Sequence, residues 1–137
     1  MKKGAHVLLV TRDGKIVLQQ RDNKPGITNP GMIAIFGGTL EKGENETKGA
    51  IREIEEELSL TLKPEQLIKL NVYYKSKEKD GEDYEVHIFY ATKINLKDIK
   101  LREGKSIFLL NSDDNLEKLN LTRITKLAVE EYFAKNQ

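Results

Sequence analysis

The chain opens on short apolar blocks separated by polar turns. In "HVLLVTRDGKIVLQQRD", residues 6–22, two such blocks flank Asp13-Gly14. That dipeptide suits a tight hairpin turn, so the stretch predicts two antiparallel strands. "MIAIF", residues 32–36, follows a Pro- and Gly-rich loop ("KPGITNPG") and predicts a third strand. From Asn45 to Leu58 the period becomes helical, with Ala50, Ile51, Ile54 and Leu58 on one stripe suited to packing on a sheet. Pro64 stops the helical pattern. "LIKLNVYYKSKEKDGEDYEVHIFYATKI" then alternates on both sides of Asp80-Gly81 and predicts two long strands. "KSIFLL", residues 105–110, is a further short strand, and "TRITKLAVEEYFAK" places Ile124, Leu127, Ala128 and Phe133 at near-helical spacing, a closing helix. Strands outnumber helices, and the helices bracket the sheet. The pattern predicts one α/β domain over residues 1–137, with a mixed sheet between helices and neither repeat nor linker.

Composition narrows the function more than the fold. Lysine and arginine number 23 against 22 aspartates and glutamates, a net charge of +1. A surface that tracks a nucleic-acid polymer needs a clustered basic excess, so no such partner is expected. Cysteine is absent, which excludes disulfides, zinc-thiolate centres and thiol nucleophiles. The apolar run from Ala5 to Val10 is too short for a signal-peptide core, and no stretch approaches the roughly 18 apolar residues of a membrane span. A cytoplasmic protein without a membrane partner is the expectation.

The helix at 45–58 carries the chemistry. Glu53, Glu56 and Glu57 lie within about 100° of one another on an ideal helix, and Glu46 points nearly the same way as Glu53. Like charges at these spacings repel, each pair costing roughly 0.2–0.5 kcal/mol, and they stand towards the helix end where the dipole disfavours them. Arg52 offsets part of this through Glu56. A hard divalent cation would offset the rest; a solvated acidic face is the other reading of the helix alone.

The lead-in adds two glycines, Gly37 and Gly38, at the end of a strand, and an N-cap candidate in Asn45. Gly38, five residues, Glu44, seven residues and then "REIEEELSL" resembles the Nudix box, Gly-x5-Glu-x7-Arg-Glu-U-x-Glu-Glu-x-Gly-U, where U is a bulky aliphatic. Every specified position matches except the late glycine, which is Ser59 here. A glycine there would cap the helix in the left-handed region. Serine in that conformation costs roughly 1–2 kcal/mol, unless the helix ends differently.

The resemblance implies a Nudix-type α/β/α sandwich and hydrolysis of a nucleoside diphosphate linked to another moiety, with Mg²⁺ or Mn²⁺. Carried over by position, Glu56 and Glu57 would be metal ligands, joined by the Gly37 carbonyl. Glu53 would orient or deprotonate the attacking water. Glu44 and Arg52 would tie the loop to the helix. Glu103, in "LREGKSIF", stands where MutT-like members place a further metal ligand, and Glu85 is its rival. Arg21 resembles a phosphate-contacting arginine and Asn120 a base-reading asparagine; Gly38 would let the backbone approach substrate. His6, His87 and the tyrosines at 73, 74, 84 and 90 read as packing residues. The implied substrate is a small nucleotide: a nucleoside triphosphate, oxidised or not, with a nucleotide sugar or ADP-ribose as the alternative. A nucleotide-sensing domain without turnover is the alternative of a different class, against which the intact glutamates argue.

Overall fold

The computed structural model describes residues 1–22, 25–26, 30–102 and 106–136. The elements run β1 (Lys2–Thr11), β2 (Ile16–Gln20), β3 (Ile33–Ala34), β4 (Phe36–Thr39), α1 (Glu46–Leu58), β5 (Ile68–Lys75), α2 (Lys77–Asp80), β6 (Tyr84–Ile94), β7 (Ser106–Leu110) and α3 (Arg123–Lys135). The strands form one seven-stranded sheet with β3-β2-β1-β6-β5 as its path, β4 on β1 and β7 on β2. β1 and β6 run parallel, with Ala5 opposite His87, while the other pairs are antiparallel. The sheet is therefore mixed, as the sequence pattern implied.

Alternation along β1 builds both faces of the core. Ala5, Val7 and Leu9 pack with Ala50, Ile54 and Leu58 of α1. Leu8 and Val10 turn to the opposite face, with Ile124, Ala128, Val129 and Tyr132 of α3. The sheet thus lies between two helices, an α/β/α sandwich. The closing helix differs from its expected stripe in one position. Leu127 is exposed and Val129 and Tyr132 are buried, because the helix turns its 124–128–132 edge to the sheet.

Local signals explain most of the element ends. Gly14 takes φ +86° in the β1–β2 turn and donates its N–H to the Thr11 carbonyl at 3.0 Å. Asn45 caps α1 by accepting from the Lys48 N–H at 2.8 Å. Two stretches differ from expectation. The run 32–36 is not one strand: it breaks at Ile35, β3 pairing with β2 and β4 with β1. The Ile35 N–H leaves the sheet ladder and donates to Thr125 Oγ1 at 3.1 Å. Between the two long strands, Ser76 caps the one-turn helix α2 and Gly81 ends it at φ +85°. Among the described residues no helix is long and apolar enough to cross a membrane.

Candidate active site

β4 delivers Gly37 and Gly38 to the sheet end beneath α1. Gly37 has φ +151°, and a Cβ there would stand 2.4 Å from the Ala5 carbonyl oxygen, so no side chain fits. Its N–H donates to Glu57 Oε1 at 3.0 Å. At Gly38 a Cβ would stand 2.5 Å from the Glu53 carboxyl carbon. The pair of glycines therefore lets the strand backbone lie directly against two carboxylates of the helix. That packing on Glu53 is the local role the structure gives Gly38.

Arg52 is the hub. Its Nε and Nη2 grip Glu44 at 2.8 and 2.9 Å, a bidentate pair. Nη1 reaches Glu53 at 3.0 Å and Glu56 at 3.2 Å, and Nη2 also donates to the Thr39 carbonyl at 3.1 Å. One guanidinium so ties the loop, the end of β4 and the helix carboxylates together, and it offsets the repulsion that the spacing of the glutamates creates. Hydrogen bonds from Arg52 and then the Glu41 N–H pull the Glu44 carboxyl down to about 2. Burial pushes the Glu53 carboxyl above its ordinary value, with Arg52 opposing.

Glu53, Glu57 and Gly37 share the wall of a cavity of about 340 Å³ with Arg21 and His6. Arg21 donates to Gln19 Oε1 at 3.1 Å. His6 shows part of its ring to the cavity, but Nδ1 is buried without a hydrogen-bond partner. Burial, and next the charge of Lys75, pulls its pKa down to about 4, so it is neutral at ordinary pH. Asn120 is exposed, is not among the lining residues, and donates to the Gly31 carbonyl at 3.4 Å. Glu85 pairs with His87 at 3.1 Å and Lys3 at 3.9 Å, and Glu46 joins the same imidazole at 3.6 Å. The structure thus places both glutamates on buried His87, apart from the Arg52 group. Glu103 lies outside the described residues. Gln19, Lys75, Thr122 and Thr125 also line the cavity and had not been singled out. Gln19, a buried amide inside an apolar strand, was the one with a signal in the sequence.

The donor set suits a hard cation: carboxylate oxygens of Glu56 and Glu57 and the Gly37 carbonyl, with Glu53 beside them. Among the described residues, no three carboxylate or imidazole groups converge closely enough to enclose an ion. The reason is visible in their partners, since Glu56 is turned to Arg52 and Glu57 to the Gly37 N–H. Both partners are replaceable by a rotation of the side chain, so the residues fit the group.

The family profile described as NUDIX domain matches residues 2–130. The chain belongs to the NUDIX domain family. An ADP-ribose pyrophosphatase of Bacillus subtilis (strain 168) is 34% identical over 116 residues, covering 85% of this chain and 56% of that protein. The chain thus spans little more than half the length of that curated relative. Among solved structures, a MutT NUDIX hydrolase from Burkholderia pseudomallei superposes with TM-score 0.78 over 95% of this chain and 96% of its own, at 24% identity. A bifunctional NMN adenylyltransferase/ADP ribose pyrophosphatase from Francisella tularensis, complexed with AMP and a manganese ion, gives TM-score 0.77 at 18% identity, over 99% of this chain and 42% of its own. At these identities the likeness establishes the NUDIX fold, with the seven-stranded sheet and flanking helices described above.

Proposed function

We propose that this NUDIX chain hydrolyses a phosphoanhydride bond in a nucleoside diphosphate derivative, with Mg²⁺ or Mn²⁺ bound. One observation carries the reading: Glu53 and Glu57 face one cavity while Arg52 and Glu44 fix the helix and loop that present them. Glu56, Glu57 and the Gly37 carbonyl would hold the cation, with Glu103 as a further ligand. When bound, it would neutralise charge on the phosphate oxygens and lower the pKa of water.

Glu53 supplies the base. As water adds to phosphorus, its proton passes to the Glu53 carboxylate, the new P–O bond forms, and the bridging P–O bond breaks with its electron pair leaving on the oxygen of the departing phosphate. Packing against Gly38 holds that carboxylate in place, and burial pushes it above its ordinary value. Arg21, which lines the same cavity, would take phosphate charge.

A nucleoside triphosphate, oxidised or not, cleaved to monophosphate and pyrophosphate, fits the MutT-like resemblance. A nucleoside diphosphate bonded to a sugar is the second reading, supported by the name of the Bacillus relative. Both are small molecules of the cytoplasm. The test is a panel of nucleoside triphosphates, ADP-ribose and nucleotide sugars with Mg²⁺ or Mn²⁺, products resolved by chromatography. Cleavage between phosphorus atoms, abolished by EDTA, is expected. Tight binding of a nucleotide without any product would turn the reading to a sensor.

A further inference from the structure

His6 is the one polar residue in the run from Ala5 to Val10, which otherwise feeds apolar side chains to both faces of the sheet. It pairs with Gly37 across β1 and β4, and its Cγ stands 2.6 Å from where a Cβ on Gly37 would lie. The imidazole thus fills the place of the side chain that Gly37 lacks. It does so at the residue whose N–H holds Glu57, on the wall of the cavity that Glu53 and Glu57 also line.

Packing alone does not account for a histidine there. Nδ1 is buried without a hydrogen-bond partner, a cost that an apolar side chain of similar size would avoid. Nε2 bonds to no described residue either, and it is the ring nitrogen that the cavity reaches. The ring is neutral, so one nitrogen carries the proton. That nitrogen is Nε2. An N–H orphaned in the interior costs more than a bare lone pair, and the carboxylates of Glu53 and Glu57 favour a proton on the cavity side. A phosphate group drawn to the Gly37 end presents more oxygens than one cation engages, and an uncharged N–H suits one of the others.

We infer that His6 is a substrate-binding residue whose Nε2–H donates to a phosphate oxygen of the bound nucleotide at the Gly37 end of the cavity. The inference rests on the hydrolase reading and adds a contact made from β1, outside the box. It also gives the orphaned Nδ1 a reason: the strand keeps a polar ring there for the sake of its other nitrogen.

The test separates the two ring nitrogens. Glutamine places an amide N–H near the position of Nε2, whereas the shorter asparagine places its amide at the depth of Nδ1. His6→Gln should keep kcat/KM within about threefold of the wild type. His6→Asn and His6→Phe should lower it by about tenfold, the loss expected for one hydrogen bond to a charged oxygen. The Gln and Asn variants carry the comparison if His6→Phe melts far below the wild type. Equal losses in His6→Gln and His6→Asn, or no loss in any variant, overturn the contact. Nitrogen NMR of the wild type should find the proton on Nε2; a proton on Nδ1 overturns it. Calorimetry with inorganic pyrophosphate and Mg²⁺ isolates the phosphate. Binding weakened about tenfold by His6→Asn supports the assignment. No binding to the wild type, binding indifferent to His6→Asn, or a loss seen with nucleotides alone overturns it. If no nucleotide is turned over, the hydrolase reading fails, and pyrophosphate binding judges the contact by itself.

Discussion

The carboxyl group of Glu53 occupies the space where any side chain at Gly38 would begin, with its carboxyl carbon 2.5 Å from an ideal Cβ at that position. Strand β4 and helix α1 are therefore in register to within a methyl group at the proposed base. In Gly38→Ala the methyl meets the mobile end of a side chain, so the carboxylate rather than the backbone gives way. Displacement of a catalytic group by about 1 Å costs up to 10²-fold, so kcat should fall by at least about tenfold. The thermal midpoint should move little. A large loss of stability with wild-type kcat in the folded fraction would contradict this account.

The Arg52–Glu44 pair makes a pH prediction. Glu44 titrates at about 2 in the folded protein against an ordinary 4.5. A depressed folded-state value means that the pair's contribution is fully present above about pH 4.5 and is lost as the pH falls through 2. Urea unfolding between pH 5 and pH 2.5 should therefore show a shallower fall of stability in Glu44→Gln than in the wild type. Parallel slopes would show that Glu44 is no part of the acid limb. At neutral pH, Arg52→Lys should lower the midpoint by about 5 °C, because one ammonium cannot bridge Glu44, Glu53, Glu56 and the Thr39 carbonyl at once.

Which of these features the sequence disclosed follows from how local their causes are. Asp13-Gly14, the Asn45 cap and the stripe Ala50–Ile54–Leu58 act within a few residues, and the elements they predict are present. The box spacing brings Glu44, Arg52, Glu53 and Glu56 together because a helix and one loop suffice to do so. The break at Ile35 depends instead on β1 and β2 exchanging a partner and on Thr125, far along the chain, offering an acceptor. Lys75 and Thr122 reach the cavity by the same long-range registry. Glu46 shows the limit of helical geometry: it shares a direction with Glu53, yet two turns of rise carry it to His87 and Glu85.

Ser59 is the one departure from the box, and it keeps the backbone that a glycine would adopt, at φ 53° and ψ 28°, its N–H donating to the Glu55 carbonyl at 3.0 Å. The left-handed cap is thus retained by a residue ill suited to it. Ser59→Gly should stabilise the protein by about 1 kcal/mol, less the extra freedom glycine has when unfolded. Turnover should be unchanged, since the serine hydroxyl makes no hydrogen bond to a site residue among the described residues. Denaturant melts with an unchanged or lower midpoint would mean that the serine hydroxyl compensates the strain.

The metal reading is tested most sharply through Glu85 and Glu103. Glu85 is engaged by His87 and Lys3 on the face that holds Glu46. Glu103 lies outside the described residues, but the Lys100 N–H donates to the Leu58 carbonyl at 2.8 Å and the Arg102 N–H to the Glu57 carbonyl at 3.3 Å. Those two bonds hold the chain leading to Glu103 against the carboxylate end of α1. Two helix glutamates and one carbonyl give few oxygens for a cation, so a further ligand from this segment is the economical completion. Glu103→Gln should lower turnover by about tenfold or more and raise the Mg²⁺ concentration needed for half-maximal rate, with little change in stability without metal. Glu57→Gln should do the same and should also reduce the stabilisation by Mg²⁺, which in the wild type reaches about 2.7 kcal/mol at a hundredfold excess over Kd. Glu85→Gln should leave the Mg²⁺ requirement where it was and act, if at all, on stability through His87. A raised requirement in Glu85→Gln with none in Glu103→Gln would move the ligand role to β6. Wild-type behaviour in both would confine the cation to the helix glutamates and the Gly37 carbonyl.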